Sequence, residues 1–428
     1  MKRILILVLI FSFSGLFAQE NTLKEKALEK FKKEHYNEAI DLLEQAVKIS
    51  PDDAEIYYYL GFFNHYRAYD SRPLRGYDFS YSEKIFEYLD KAIELNPNYG
   101  DAKYFYGAEC SGNAFISMQN DDLKQLKYFY KLAYKKGAYP DWLLEFGRNM
   151  LIPCDKNAIL FTAGNADFDV CSYLQLHEKF RTDITIIPIA NINRPWYVNF
   201  LKKGLKNGIR KISINLTEEQ IMDIHPFKWD TTTVAIPVSE KLKKKYELDE
   251  NYKMQWKIEP DLFSMRKHSK IAGEEVKKRT YLSPQRAMLL QIVEDNFSNR
   301  PIYFSNMASH LFYGGLDSFF RNCGLVSELL PVQTEKTEYE NNYHKIQQLL
   351  QSENFKDYST IKENDIPRIS RIIYNYYYTF LELAEYYKNN NKTEKLEELI
   401  SLFKQHLTIG FSPNHEKIFE MKLERIKN

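Results

Sequence analysis

The chain has 428 residues, which is enough for about two to three domains. Its formal net charge is +1 and its pI is about 7.6. This near-neutral balance argues against nucleic-acid binding, which usually needs a concentrated positive surface. The four cysteines lack a CxxC pair, which argues against a disulfide-rich scaffold and a zinc knuckle, while their spacing leaves a single disulfide bridge open.

The first 18 residues have the pattern of a signal peptide. Lys2 and Arg3 precede an apolar run at residues 4–17, and Ala18 precedes the expected cleavage site. The run is short for a membrane span, although an uncleaved anchor is the alternative. We therefore expect secretion across the inner membrane, to the periplasm or the outer envelope, with no stable membrane insertion of the mature chain.

Residues 23–150 repeat a pattern typical of stacked helical hairpins. Apolar residues recur at three- and four-residue spacing, and small residues such as Ala27 allow two helices to approach closely. Each of three units has an alanine followed by a proline that ends a helix: Ala46 and Pro51, Ala92 and Pro97, Ala133 and Pro140. Each unit also has a large residue followed directly by glycine: Leu60-Gly61, Tyr106-Gly107 and Phe146-Gly147. This pattern resembles the tetratricopeptide repeat, which implies a groove that binds a protein or peptide.

The spacing of these units is longer than the 34 residues of that repeat, so insertions are expected inside the hairpins. The first insertion covers residues 69–81 and includes Pro73 and Gly76, which do not continue a helix smoothly. It is either a ligand clamp or a tolerated surface loop.

After residue 153 the sequence predicts a strand, a turn, a helix and a second strand. The apolar runs at residues 157–162 and 184–189 are the strands, and residues 170–180 form the helix between them. This order predicts a βαβ unit with parallel strands, whose carboxyl ends are the usual place for a ligand.

Four residues follow as candidate ligand-binding residues: Asn165, Asp167, Asp169 and Trp196. Oxygen groups of the first three suit a cation or sugar hydroxyls, Asp183 could join them, and the Trp196 ring suits stacking on a sugar. The alternatives are structural: Asp169 as a helix cap, Asp183 in a turn, and Trp196 in the packing between helix and sheet.

A second resemblance rests on Leu160-Phe161-Thr162-Ala163-Gly164, Arg181-Thr182-Asp183, Asn191-Ile192-Asn193-Arg194-Pro195-Trp196-Tyr197 and Asn299-Arg300-Pro301-Ile302-Tyr303-Phe304. Over residues 155–410 the chain resembles the soluble C-terminal region of bacterial membrane proteins related to protein O-mannosyltransferases. The multispanning part of those proteins is missing from this chain. The resemblance therefore implies an accessory or recognition domain rather than a transferase.

Sequence motifs of common active sites are missing. No GxxxxGK[ST], GxGxxG or GxSxG occurs at the expected junctions, and His177-Glu178 lacks a second histidine four residues later. The basic runs are interpreted as solvated faces: Lys202, Lys203, Lys206, Arg210 and Lys211, then Lys241, Lys243, Lys244 and Lys245. No catalytic residue, metal or cofactor is expected.

Further apolar runs at residues 212–216, 233–238 and 254–258 predict strands or a hairpin that extend the sheet. A helix is expected at residues 283–296 and a strand at 302–304. Three later helices, at 343–350, 368–389 and 393–407, either pack on the α/β domain or form a separate cap.

The predicted fold class is therefore α+α/β. It comprises a signal peptide at 1–18, tetratricopeptide-like repeats at 19–150, a Rossmann-like α/β domain with a mostly parallel sheet at 151–334, and a helical tail at 335–428. The predicted function is that of an exported, noncatalytic scaffold or adaptor of the bacterial cell envelope that binds a protein or peptide. The alternatives are a carbohydrate-binding or glycan-processing accessory protein with a pocket at the first strand-turn, and a purely structural spacer.

Overall fold

The computed structural model describes residues 21–70, 77–263, 279–334, 342–355, 357–361, 366–407 and 413–427. The predicted signal peptide and residues 71–76 of the first insertion lie outside the described residues. The chain divides into two compact units. The repeat unit contains the described residues up to Phe115 together with Tyr128–Tyr139, and the sheet unit contains Ile116–Lys127 together with the described residues from Pro140 onward.

The N-terminal region is a succession of helices joined by short turns. They are α1 (residues 21–32), α2 (Tyr36–Ile49), α3 (Ala54–Asp70), α4 (Ser82–Leu95), α5 (Gly100–Gln119), α6 (Leu123–Lys135) and α7 (Asp141–Leu151). Ala27, Leu43 and Phe63 are fully buried in the core that α1, α2 and α3 share. The predicted helical hairpins are therefore confirmed, and their apolar spacing is what buries one face of each helix.

Two glycines of the repeat pattern lie where a helix closely approaches another segment of the repeat unit. A Cβ atom on Gly61 of α3 would lie 2.8 Å from the Leu89 side chain of α4, and one on Gly107 of α5 would lie 2.7 Å from the Ala138 Cβ. Neither distance allows ordinary van der Waals contact. At these two glycine positions of the repeat pattern, a larger side chain therefore does not fit.

The described part of the sheet unit contains ten strands: β1 (Ile159–Thr162), β2 (Thr185–Pro188), β3 (Phe227–Lys228), β4 (Thr232–Pro237), β5 (Lys253–Ile258), β6 (Asp261–Phe263), β7 (Arg279–Leu282), β8 (Ile302–Ser305), β9 (Phe320–Asn322) and β10 (Val326–Leu329). Its α-helices between β1 and β8 are α8 (Asn165–Tyr173), α9 (Pro195–Lys203), α10 (Glu218–Met222), α11 (Glu240–Lys245) and α12 (Pro284–Asn296). A π-helical turn, Leu174–Glu178, extends α8.

The main sheet has the order β2-β1-β8-β10-β9. Strand β1 is parallel to both β2 and β8, which confirms the parallel strands of the predicted βαβ unit. Strand β10 is antiparallel to β8 and to β9, so the sheet is mixed, and the prediction of a mostly parallel sheet is corrected. The cause is the connection after β8, where short 3-10 turns replace the long crossover that a parallel neighbour needs.

The strands predicted to extend this sheet do not join it. Strands β4 and β5 form a separate two-stranded antiparallel sheet, and β3, β7 and β6 form another. In β5 every second residue is exposed, which suits a sheet with one wet face. Residues 212–216 form no strand, because the backbone N–H groups of Ser213 and Asn215 bond to side chains of α12 instead.

The C-terminal region is helical: α13 (Tyr343–Leu349), α14 (Ile366–Asn389), α15 (Thr393–His406) and α16 (Pro413–Lys427). The predicted hairpin is confirmed, since the rings of Tyr377 and Phe403 lie 5.2 Å apart between α14 and α15. Of the two alternatives for this region, packing on the α/β part is correct. Thr379 donates to the Gly324 carbonyl at 3.3 Å and Arg371 to the Met307 carbonyl at 2.6 Å.

Within the described ranges, no helix is both long enough and apolar enough to cross a bilayer.

Replacing Gly107 with alanine tests the close approach in the repeat unit. The added methyl group would overlap the Ala138 Cβ, so we expect the Gly107→Ala variant to lose roughly 1 to 3 kcal/mol of unfolding free energy. Urea unfolding followed by circular dichroism gives this value.

Gly112→Ala on the same helix is the control. Its Cβ would lie 3.4 Å from the Phe79 ring, which is nearly ordinary contact, and alanine favours a helix over glycine by up to about 1 kcal/mol. Equal stability of the two variants would contradict the close approach at Gly107.

Candidate functional site

A group of four aromatic rings forms a partly exposed surface in the repeat unit. We call Phe31, Phe62, Tyr66 and Phe105 the aromatic face. The Phe62 ring lies 5.2 Å from Phe31, 4.9 Å from Tyr66 and 4.6 Å from Phe105. Phe62 and Tyr66 are four residues apart on α3 and therefore lie on the same side of that helix, between the neighbouring helices α1 and α5.

The rings of the aromatic face are not fully buried. Tyr66 is 40% exposed, and the other three are half-buried. Edge-on contacts at 86° between Phe31 and Tyr66, and at 82° between Phe62 and Phe105, hold the rings in fixed orientations. A fixed group of half-exposed rings loses little conformational entropy when it contacts an apolar side chain of a partner.

A buried carboxylate lies beside this surface. Glu109 of α5 is only 1% exposed. It accepts hydrogen bonds from the Tyr77 hydroxyl, at 2.6 Å, and from the Ser82 hydroxyl, and His65 Nδ1 lies 3.1 Å from it. The His65 ring in turn contacts the Phe105 ring at 5.6 Å. Glu109 therefore holds α3, α5 and the start of α4 together behind the aromatic face.

Sequence reasoning identified neither the aromatic face nor the Glu109 cluster. A signal was present for the cluster, because Glu109 continues the buried column of α5 that contains Ala102 and Tyr106. An acidic residue in such a column requires hydrogen-bonding partners. No equivalent signal marks the aromatic face, since aromatic residues occur on many helices of the chain.

In the sheet unit, Asp167 closes the turn between β1 and α8. Its Oδ2 accepts from the Ala163 N–H at 2.8 Å, and its Oδ1 accepts from the N–H groups of Gly164 and Phe168 at 2.9 and 3.0 Å. The side chain is 1% exposed. Burial raises the pKa of this carboxyl group, and the hydrogen bonds from the backbone and from Ser305 oppose that rise.

The turn between β1 and α8 lies where an α/β fold often binds an anion. Backbone N–H groups at the start of a helix that follows a strand attract a ligand phosphate or carboxylate. Here the Asp167 side chain accepts the hydrogen bonds that these N–H groups would otherwise donate to a ligand. The chain thus supplies a carboxyl group of its own at the carboxyl end of β1.

The other candidate residues lie near the same ends of the strands. Asn165 is exposed at the first position of α8, and Asp169 is buried on that helix, two residues beyond Asp167. Trp196 is half-buried on α9, after β2, with its ring 5.4 Å from Tyr197. Three of the four predicted residues therefore share one helix, and Trp196 lies on the next one along the chain.

Asp183 lies at the opposite edge of the sheet. It precedes β2 and accepts from the backbone N–H of Asn157, which precedes β1, at 3.0 Å. Arg181 donates to both of its oxygens, at 2.9 and 3.0 Å. These bonds from Arg181 lower the pKa of Asp183 to about 2. The expectation that Asp183 joins the residues after β1 is wrong, because it lies at the amino ends of the strands.

The four cysteines are free and buried, so the single disulfide bridge that the spacing left open is not formed. Burial raises the pKa of the Cys154 and Cys171 thiols, and that of Cys323 to about 12. A thiol in this state is a poor nucleophile at neutral pH. Across the described part of the chain, no three histidine, cysteine or acidic side chains are placed to hold a metal ion.

Comparison with known families gives two matches. Residues 27–65 match the family described as TPR repeat, which confirms the tetratricopeptide repeat in the part of the chain that contains Phe31 and Phe62. Residues 143–271 match the family described as TMEM260-associated domain 2, and this range includes Asn165, Asp167, Asp169 and Trp196. No match to a curated protein was found.

The role of Asp167 can be tested by its removal. In the Asp167→Ala variant the N–H groups of Ala163 and Gly164 lose their acceptor, so we expect the unfolding free energy to fall by roughly 2 kcal/mol or more. Urea unfolding measures the change. Asn165→Ala, an exposed change on the same helix, is the control and should cost less than about 0.5 kcal/mol; similar losses in both variants would contradict a capping role.

The pair of Asp183 and Arg181 predicts a pH dependence. The pKa of Asp183 falls from its ordinary value of 3.8 to about 2 on folding, so the pair stabilises the fold fully above pH 3.8 and loses this effect as the pH falls through 2. The carboxylate is partly solvated, so we expect Asp183→Asn to cost only about 1 kcal/mol at neutral pH.

Urea unfolding at pH 6, 4, 3 and 2 checks this expectation. The difference between the wild type and Asp183→Asn should shrink towards zero between about pH 4 and pH 2. Glu353→Gln removes one exposed acidic group and serves as the charge control. A difference that stays constant down to pH 2 would show that the pair does not act through the charge of Asp183.

Proposed function

We propose that this protein is a noncatalytic interaction protein whose repeat unit binds a partner protein or peptide at the aromatic face. The single observation that carries the proposal is the position of that face on a TPR repeat, a fold that typically forms extended binding surfaces. Two of its four rings, Phe31 and Phe62, fall within the matched residues.

The chemistry of the face defines the class of partner. Three phenylalanine rings offer no hydrogen-bonding group, and Tyr66 adds one hydroxyl at the exposed end. Such a surface favours a peptide segment with apolar or aromatic anchor side chains over a highly charged segment. Glu109 and its partners support the rings from behind and are not expected to contact the partner.

The test compares Tyr66→Ala with the wild-type protein. Full-length protein is used to capture partners from a cell-envelope extract of the source organism, and each captured protein is then purified and its affinity measured by calorimetry. We expect Tyr66→Ala to weaken binding at least about tenfold, because it removes the most exposed ring of the face.

Tyr128→Ala is the matched control. Tyr128 belongs to the same unit and is 54% exposed, but its recorded ring contact is with Phe129 rather than with the aromatic face. Binding that is equally strong in the wild type and Tyr66→Ala, or equally weakened in both variants, would refute the proposal. Thermal unfolding of each variant shows whether a loss of binding reflects a loss of fold.

Export to the bacterial cell envelope is a further part of the proposal. It is supported by the pattern of residues 1–18, where a positive start precedes an apolar run and a small residue. Fractionation of cells that express the full chain, with N-terminal sequencing of the product, tests it. A product that keeps residues 1–18 and stays in the cytosol would contradict it.

For the sheet unit we propose a role in recognition or docking. The alternative function of the protein is to bind a glycan through this unit. The support is the match to TMEM260-associated domain 2, together with the resemblance to the soluble region of proteins related to O-mannosyltransferases. The parallel strands β2, β1 and β8 are interpreted as a Rossmann-like core, and the proposed domain limits remain 151–334 for this part and 335–428 for the tail. Glycan-array binding that disappears in Trp196→Ala would favour the alternative, and no glycan binding by the wild type would remove it.

A further inference from the structure

Two adjoining cavities lie at the amino-end edge of the three parallel strands. One cavity, of about 580 Å³, is lined by some of the residues between 175 and 182 and by the loop at residues 203–211. The other, of about 680 Å³, is lined by Asn157, by Lys202 and residues 210–215, and by Asn296 and Arg300. Because Arg210 and Lys211 line both, the cavities form one surface feature, which we call the basic cleft.

The basic cleft concentrates positive charge in a chain that is almost neutral overall. Its lining contains seven cationic side chains and, among the residues described, no aspartate or glutamate: Lys179, Lys202, Lys203, Lys206, Arg210, Lys211 and Arg300. Five of them come from one stretch of sequence, and Arg300 comes from the segment before β8. The folding of the chain therefore brings Arg300 to a basic run that the sequence alone indicates as a solvated face.

Few of these charges are neutralised by the protein. Lys203 pairs with Asp121, and the Lys202 ammonium donates to the Leu216 carbonyl at 2.5 Å. In the described residues, no carboxylate forms an ion pair within 4.0 Å of Lys206, Arg210 or Lys211. Arg210 donates instead to the main-chain carbonyl of Asp183, at 2.8 Å. Like charges held close together without counter-charges repel one another.

The carboxylates around the cleft are already engaged elsewhere. Asp183 accepts from Arg181 and from the Asn157 N–H, and Asp295 accepts from the backbone and side chain of Asn215. Glu178, next to Lys179, pairs with Arg148 at 2.7 Å. The acidic groups beside the cleft thus leave its cations available to a ligand.

Arg300 is a half-buried cation of the cleft. Its guanidinium donates to the carbonyls of Asn157 and Ala158, at 2.8 and 2.9 Å, and to the Thr185 hydroxyl at 2.8 Å. No carboxylate joins these acceptors in the described residues. Burial, and then the charge of Arg210, lower the pKa of Arg300 to about 10, so it is still charged at neutral pH. An anion in the cleft would supply the counter-charge that these groups lack.

We propose that the basic cleft is a binding site for a phosphorylated ligand, with Arg210 and Lys211 as the residues that contact its phosphate groups. Planar guanidinium and compact ammonium groups both bind phosphate oxygens, and the guanidinium does so with two parallel hydrogen bonds. The cavity volumes are in the range of small-molecule sites. Neutral polar residues of the lining, such as Asn207 and Asn215, suit the uncharged part of the ligand.

This site is separate from the aromatic face and does not depend on the proposed partner binding. It also lies at the opposite edge of the sheet from Asp167, where the chain provides its own carboxylate. Phosphate groups occur both on soluble metabolites and on lipid headgroups, and the experiment distinguishes these two sources.

The test uses the full chain and inorganic pyrophosphate as the soluble probe, with calorimetry at low and at physiological salt. We expect saturable binding that weakens with salt, and a loss of at least about tenfold in affinity in the double variant Arg210→Gln, Lys211→Gln. Pyrophosphate should also raise the unfolding temperature of the wild type and not that of the double variant.

The double variant Lys241→Gln, Lys244→Gln is the matched control, because it removes the same charge from exposed positions on α11, outside the cleft. A second arm measures sedimentation with vesicles of phosphatidylcholine, with and without phosphatidylglycerol. Pyrophosphate binding that depends on Arg210 and Lys211 supports a soluble ligand, and vesicle binding with the same dependence supports a lipid headgroup. No binding of either probe, or equal losses in both double variants, would overturn the proposal.

Discussion

One guanidinium group holds the amino ends of the three parallel strands together. Arg300 precedes β8, yet it bonds to two carbonyl groups before β1 and to the Thr185 hydroxyl at the start of β2. Short strands have few ladder hydrogen bonds, so contacts at their ends contribute much to fixing their relative positions. Together with the ladder of the strands, this interaction supports the register of β2, β1 and β8 and so the position of the residues at both edges of the sheet.

The two edges of the parallel strands differ in electrostatic character. At the carboxyl end of β1, the Asp167 carboxyl group accepts hydrogen bonds from the backbone N–H groups of the turn. At the amino ends, Arg300 and the loop that contains Arg210 and Lys211 leave positive charge without carboxylate partners in the described residues. The positive charge that would attract an anion therefore lies at the amino edge, whereas parallel topology alone favours a ligand at the carboxyl edge.

Much of the local structure could be predicted from the sequence. The helical hairpins follow from apolar spacing, and β1, β2 and α12 lie within one or two residues of their expected positions, because each has a clear start or stop signal. Ser283 illustrates this, since its side chain caps α12 where the helix was expected to begin.

What could not be predicted depends on distant parts of the chain. Strands β9 and β10 are only three and four residues long, and their polar residues hide the strand pattern, so the mixed sheet was missed. The two candidate sites are hidden for the same reason. Phe31, Phe62 and Phe105 come from three different helices, and Arg300 reaches the basic run from the segment before β8, so in both sites the residues meet through folding rather than through spacing.

The buried thiols have a consequence for the conditions under which this fold can exist. All four cysteines lie among the described residues, unbridged and inside the protein. With no covalent link between distant segments, the unfolded chain is not constrained by native disulfides, and the native state gains no stability from them. Formation of the fold therefore requires no oxidant, and oxidation of the thiols while the chain is unfolded would hinder it.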